Sequence, residues 1–274
     1  MLNINPAYAG SRGTVSMTAL HRNQWVDMPG APKTSSVSVD MPLNDQKIGI
    51  GVQLLDDKIG IERTTGLNVS YAFRIRMSET GTLSLGLQGG MLNYRANYNE
   101  VRTFQPNDPT FYQNVNGFLP AAAAGVYYNS DKFYIGASVP ALLKTKISGV
   151  NGVDVSSYKR DMHFFITTGT VIDLSDDFVL KPSGMIKAVS GAPIAFDFNA
   201  NLWIQNKIAV GASYRTGDAI LGMLEWQINE QIRFGYAFDR TLSSLGMYNQ
   251  GSHEIMIRFE VGGGSGRIAS PRYF

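Results

Sequence analysis

Cysteine is absent from the 274 residues. With it go disulfides, Cys-ligated zinc, iron–sulfur clusters and thiol nucleophiles. The absence fixes no compartment, since a reducing cytosol and a disulfide-free envelope both accept it. Charge is scarce: 17% of residues are Asp, Glu, Lys or Arg, against roughly 25% in soluble domains. With 24 basic and 22 acidic residues the formal charge is +2, and no basic run occurs, which argues against a nucleic-acid binder. Histidine appears three times, at His21, His163 and His253, without the HxH or HExxH spacing of a metal site. Ser252 and His253 are adjacent, but neighbours on a strand point to opposite faces, and no GxSxG is present. The chain therefore reads as non-enzymatic, with no cofactor and no metal. An apolar run of about 20 residues is also missing, so no transmembrane helix is expected. The nearest stretch, 119–128, is too short.

What is present sharpens the picture. Thirteen Tyr and 14 Phe with little charge exclude disorder. Mean hydropathy is −0.09, too low for a helical membrane bundle. Helical periodicity is nearly absent, while period-two alternation recurs from end to end. From Leu67, the apolar set Leu67, Val69, Tyr71, Phe73 and Ile75 alternates with Asn68, Ser70, Ala72, Arg74 and Arg76. Ile255, Ile257, Phe259 and Val261 alternate with Glu254, Met256, Arg258 and Glu260. One face of each strand is apolar and the other polar and Gly-rich.

About fourteen such segments are legible. Every other connection is tight and rich in turn residues, such as Ser130-Asp131, Gln205-Asn206 and Asn229-Glu230. The alternate set holds the long ones, 96–119, 141–159 and 241–251. Even strand number with short turns on one rim and long loops on the other is the pattern of outer-membrane barrels. A soluble sandwich or propeller would also alternate, but its second face would carry Lys and Glu freely to meet water. The expected fold is all-β: a transmembrane, antiparallel, up-and-down β-barrel of about 14 strands. Its expected divisions are an N-terminal periplasmic segment at 1–12, the barrel at 13–262, and a Gly-rich linker and tail at 263–274.

Strand parity turns one set of charges inward: Arg22, Arg74, Arg76, Lys181, Asp197, Arg215, Glu225, Arg233, Asp239 and Arg258, with Lys187, Glu254 and Glu260. Two readings of them stand: a salt-bridged network that fills the lumen, or a polar path for a solute or socket for a polypeptide. Among the long connections, 96–119 carries Phe104, Phe111, Tyr112 and Phe118, and 141–159 carries Tyr158. These aromatics are candidates for protein contact, or a lid folded onto the barrel. Trp25, Trp226, Tyr94 and Tyr214 fall near strand ends, as interfacial girdles require; ordinary packing is the alternative reading of them.

Specific words add a resemblance. The opening Asn5-Pro6-Ala7-Tyr8-Ala9-Gly10, then Arg22-Asn23-Gln24-Trp25 and Gly30-Ala31-Pro32-Lys33-Thr34, and the ending Pro271-Arg272-Tyr273-Phe274 resemble the PorP/SprF family of Bacteroidetes. The resemblance brackets the whole chain. Family members carry a signal peptide and a short aromatic segment before the NPAYAG word, so the resemblance implies a processed or trimmed sequence. It implies an outer-membrane protein of the type IX secretion system, associated with gliding motility, with long loops extracellular and termini periplasmic. Such proteins are implicated in secreting large adhesins and retaining them at the surface through a C-terminal domain; others connect to periplasmic components. The expected partners are outer-membrane lipid and an adhesin C-terminal domain or other secretion components. The alternative is a transport barrel for a small solute, like the fatty-acid transporters, although fold similarity does not establish function. The Asn5–Tyr8 word is expected to plug the periplasmic mouth or to tether a partner.

Overall fold

The computed structural model describes residues 1–100, 114–143 and 161–261. The alternating segments are strands: β1 (Val15–Asn23), β2 (Lys33–Leu43), β3 (Ile48–Ile59), β4 (Glu62–Arg76), β5 (Thr82–Ala96), β6 (Val115–Asn129) and β7 (Phe133–Val139). They continue as β8 (His163–Thr170), β9 (Phe178–Val189), β10 (Ala195–Ile204), β11 (Ile208–Arg215), β12 (Ala219–Gln227), β13 (Ile232–Thr241) and β14 (Ser252–Val261). Strand β8 is interrupted at Val171 and resumes as Ile172–Asp173, still paired with β9. Each strand pairs antiparallel with the next, and β14 pairs with β1 from Val15↔Val261 to Asn23↔His253. The result is a closed barrel of fourteen strands among the described residues, with no α-helix among them. Closure gives every strand a partner on each side, the condition for a sheet to sit in lipid.

Parity sorts the wall as alternation requires. On β4, Leu67, Val69, Tyr71 and Phe73 are 46–50% exposed, while Asn68, Ser70, Ala72 and Arg74 between them are 0–7% exposed. The same outward row continues as Leu85 and Leu87 on β5, Phe196 and Phe198 on β10, and Ile255 and Ile257 on β14. A continuous apolar belt of this kind has no place in water, where exposed patches are small; it matches the hydrocarbon-facing band of membrane barrels.

The two rims differ. Six short turns lie on one, together with the start of β1 and the end of β14. The link from β10 to β11 is a three-residue loop in which Gln205 (φ 49°) and Asn206 (φ 54°) are both left-handed and the Lys207 N–H donates back to the Ile204 carbonyl at 3.0 Å, the turn geometry that follows strand twist. On the opposite rim lie the strand ends that the longer connections 97–114 and 140–162 join. We call these the turn rim and the loop rim. Strands β5 and β6 stay paired as far as Ala96↔Val115, so β6 starts earlier than alternation alone predicts. Phe118 is consequently a strand residue, facing outward and 70% exposed, where the sequence places it in a loop.

Candidate functional site in the barrel lumen

Residues 1–14 precede the first strand, two more than the 1–12 the sequence sets apart, and pack inside the wall. The word Asn5-Pro6-Ala7-Tyr8-Ala9-Gly10 accounts for the seating position by position. Asn5 caps a 3-10 turn over Pro6–Tyr8: the Ala7 N–H donates to Asn5 Oδ1 at 2.9 Å. Its Nδ2 donates outward to the Val126 carbonyl of β6 at 3.0 Å, and to Ala137 of β7 at 3.5 Å. Pro6, with its fixed φ, sits where a helical turn needs no N–H donor. Ala7 and Ala9 are fully buried. Gly10 has φ +68°, and a Cβ there would lie 2.9 Å from both the Met41 carbonyl oxygen and Gly49 Cα, so only glycine fits.

The wall receives this segment on a floor of glycines. A Cβ on Gly86 would lie 2.5 Å from the Pro6 carbonyl carbon, and one on Gly49 would lie 2.5 Å from that of Ala9. Gly125 and Gly136 leave room for the Asn5 side chain, and Gly51 for Leu2. These glycines belong to β3, β5, β6 and β7, each a few residues from the turn rim. The segment thus fills the half of the lumen nearest that rim.

Polar contacts lock it in place. The Gly10 N–H donates to Asp40 Oδ2 at 2.9 Å, and Arg74 Nη1 donates to the Gly10 carbonyl at 2.9 Å. Arg12 pairs with Glu260 of β14 and donates from Nη1 to the Tyr8 hydroxyl at 3.2 Å. Burial would lower the Arg12 pKa, but Tyr8 and Glu260 more than offset it and hold the guanidinium above its ordinary value. Tyr8 meets Tyr127 edge-on at 5.5 Å, and Tyr127 lies 5.9 Å from Tyr134, an aromatic ladder from segment to wall.

Nearer the loop rim the inward charges form a chain of ion pairs. Arg22 reaches Asp239 at 2.7 Å and Glu254 at 3.0 Å. Arg215 lies 3.4 Å from Asp197, 2.9 Å from Asp218 and 3.7 Å from Asp239. Lys187 also pairs with Asp197. A second group, at the turn-rim ends of β9, β10, β12 and β13, surrounds Trp203, which is 3% exposed: Lys181 Nζ lies 4.1 Å and the Arg233 guanidinium 4.6 Å from its ring centre. Arg233 is 3.6 Å from Glu225. Arg258 donates to Thr18 Oγ1 at 3.4 Å. Across the lumen, Leu92, Tyr94 and Leu119 are buried together on β5 and β6.

Of the ten inward charges singled out from sequence, nine lie on the inner wall or its contacts. Arg76 does not join them. As the last residue of β4 it bends over the rim, donating to the Ser78 carbonyl at 3.2 Å and that of Glu79 at 2.9 Å. Tyr94 also departs from the girdle position, because parity turns it inward to 4% exposure, whereas Trp226 and Tyr214 are exposed on the outer wall. Arg12, Asp40, Trp203 and the floor glycines were not assigned from the sequence. Their signal was the glycine-rich inner face, which shows what it receives only once the strands are in register.

The Gln24-Trp25 and Pro32-Lys33 words lie on the loop rim. The Gln24 N–H donates to the Pro32 carbonyl at 3.0 Å, and Val26 and Gln250 bond through backbone to Gly251 and Val26. Trp25 has φ +45° and donates its N–H to Ser252 Oγ at 3.3 Å. This connection is thereby tied to the one before β14. Phe104, Phe111, Tyr112 and Tyr158, and Pro271, Arg272, Tyr273 and Phe274, lie outside the described residues. The histidines are apart: His21 bonds Ser35 at 2.9 Å, His163 the Asp161 carbonyl at 3.0 Å, and His253 the Tyr236 hydroxyl at 2.7 Å.

Known proteins agree with this architecture. Solved structures with the same overall form include CymD, a monoaromatic hydrocarbon channel, at 10% identity and TM-score 0.51, covering 94% of this chain and 92% of that one. A Pseudomonas aeruginosa FadL homologue shares 9% identity at TM-score 0.47, covering 90% and 88%. The Acinetobacter baumannii outer membrane protein Omp33 shares 12% at TM-score 0.48, covering 91% and 99%. At such identities the likeness to CymD shows the fold alone. No curated protein sequence matches the chain. Residues 1–259 match the family described as type IX secretion system membrane protein PorP/SprF, and the match takes in the lumen segment and the wall that holds it. The chain belongs to the PorP/SprF family of type IX secretion system membrane proteins.

Proposed function

We propose that this protein is a non-enzymatic outer-membrane barrel of the type IX secretion and gliding machinery. It aids secretion of a large adhesin and anchors it at the cell surface through the adhesin's C-terminal domain. The observation that carries the reading is the occupied lumen: residues 1–14 fill the turn-rim half against a glycine floor. A barrel stopped by its own chain serves better as a holder than as a conduit. In this reading the turn rim and termini face the periplasm and the loops face outward, the usual sense for such barrels. The loop-rim half then offers a secreted polypeptide a charged wall, Arg22 to Lys187, opposite an apolar one, Leu92, Tyr94 and Leu119. Phe104, Phe111, Tyr112 and Tyr158 of the long connections supply aromatic anchors, whereas Phe118, on the outer face of β6, does not.

A second reading, a link between the secretion machinery and periplasmic components, draws on the position of both strand ends at the turn rim. A transport barrel for a small solute has the CymD-like fold in its favour and the filled lumen against it. The test is affinity purification of the tagged protein from native membranes after cross-linking. Recovery of a secreted polypeptide joined to loop-rim residues supports the proposal. Recovery of periplasmic components alone favours the linking role, and recovery of neither counts against both.

A further inference from the structure

Four cations stand in one line on the outer wall below the loop rim. Lys33 of β2 is directly opposite Lys58 of β3, Lys58 is opposite Arg63 of β4, and Arg63 is opposite Arg95 of β5. Strand parity places all four on the outward face. Two residues toward the membrane centre, the same strands carry Ser35, Asp56, Thr65 and Asn93, again mutually opposite; Asn93 is 8% exposed and donates to Asn116 Oδ1 at 2.8 Å. Two residues further come Val37, Leu54, Leu67 and Met91, all 43–56% exposed. The wall is thus tiered: cations, then small polar groups, then apolar side chains.

Like charges directly opposite each other destabilise a sheet, and the protein offsets this only in part. Arg63 holds Asp56 at 2.7 and 3.2 Å, the one carboxylate in the three tiers. Arg95 Nε donates to Asn93 Oδ1 at 2.7 Å. The side-chain ammonium groups of Lys33 and Lys58 have no hydrogen-bond or ion-pair partner among the described residues. The line spans about 14 Å across three strand spacings. With a strand rise of about 3.4 Å and a tilt of about 40°, it stands about 10 Å above the apolar tier. That height matches a polar headgroup layer resting on hydrocarbon.

We propose that this tiered face binds a phosphorylated lipid of the leaflet beside the loop rim. Its phosphates lie on Lys33, Lys58, Arg63 and Arg95, and its acyl chains run down Val37, Leu54, Leu67 and Met91. Guanidinium forks receive phosphate oxygens in pairs, and lysines add point charge. The bound anion cancels the repulsion within the line. Lipid capture is read in the purified barrel with no secreted partner present, so it stands or falls separately from the adhesin reading.

The experiment titrates the full chain, in neutral detergent, with diphosphoryl lipid A or with phosphatidylcholine, and reads bound lipid by native mass spectrometry. Each cation facing an anionic lipid carries about a fivefold factor. K33Q/K58Q/R63Q/R95Q should therefore lose lipid A binding by more than about tenfold. The K47Q/K207Q variant, altered on the turn rim, should bind as the unmodified protein does. If the quadruple variant fails to fold, K58Q and R95Q singly, which keep the Arg63–Asp56 pair, should each lose about fivefold. Undiminished binding by folded variants overturns the proposal, as does equal uptake of both lipids. Complete displacement of lipid A by millimolar inorganic phosphate also overturns it, marking a free-anion site.

Discussion

The seating of the N-terminal segment can be broken from the wall side by adding single carbons. Gly49 and Gly86 have ordinary strand backbone, so alanine suits both; relieving strand glycine by itself favours the barrel by about 0.5–1 kcal/mol per site. The added Cβ atoms, however, would meet Pro6 and Ala9 carbonyl carbons at 2.5 Å, where carbon contacts belong at about 3.5–4 Å. The obstructing atoms are backbone and cannot rotate away. Overpacking of this sort costs about 1–3 kcal/mol per site, and two separated sites add. G49A/G86A should accordingly shift the seated–unseated balance by about 4 kcal/mol, a factor on the order of 10³ at 1.4 kcal/mol per decade. Because the chain has no cysteine, Leu2→Cys gives a unique reporter at a position 4% exposed. Maleimide labelling of that thiol should be slow in the parent and accelerate toward the unprotected rate with G49A/G86A. Both proteins should keep the heat-modifiable gel migration of a folded barrel. Equal labelling rates in two folded proteins would refute the glycine-floor argument.

Further outcomes follow from the same geometry. Arg12→Met strands the Glu260 carboxylate in the lumen and should cost about 3 kcal/mol in urea unfolding, with part regained in R12M/E260Q. In lipid with brominated chains, a variant retaining only Trp226 (50% exposed) should be strongly quenched, and one retaining only Trp203 (3% exposed) should not. Leu87→Arg places a charge on the lipid face, where Leu87 is 65% exposed, and should destabilise the barrel by about 2–4 kcal/mol in bilayers. Leu87→Ala, measured in the same folding titration, should cost far less.

The wall was legible from the sequence because lipid enforces a period of two: β4 reads Leu67 to Ile75 outward without a break. The turns were legible too, since Gln205-Asn206 is suited to the left-handed pair that joins β10 and β11. Parity also identified the inward charges, but not their partners: Arg22 meets Asp239 across 217 residues, a pairing that only closure creates. Arg76 shows where parity ends, since the last side chain of a strand can bend toward the rim. Phe118 shows the limit of composition: its polar, aromatic surroundings read as loop, yet β5 continues to pair there. The lumen segment was hardest to read. Its seat is assembled from Gly49, Gly86, Gly125 and Gly136 on four strands, and each glycine alone is an ordinary strand residue.

Ion conductance in planar bilayers tests the central claim, that the lumen is stopped by the chain's own first fourteen residues, most directly. The full chain should insert without opening stable conductance steps, and a chain starting at Val15, the first residue of β1, should open them. Steady open-pore conductance from the full chain, equal to that of the shortened one, would contradict the account.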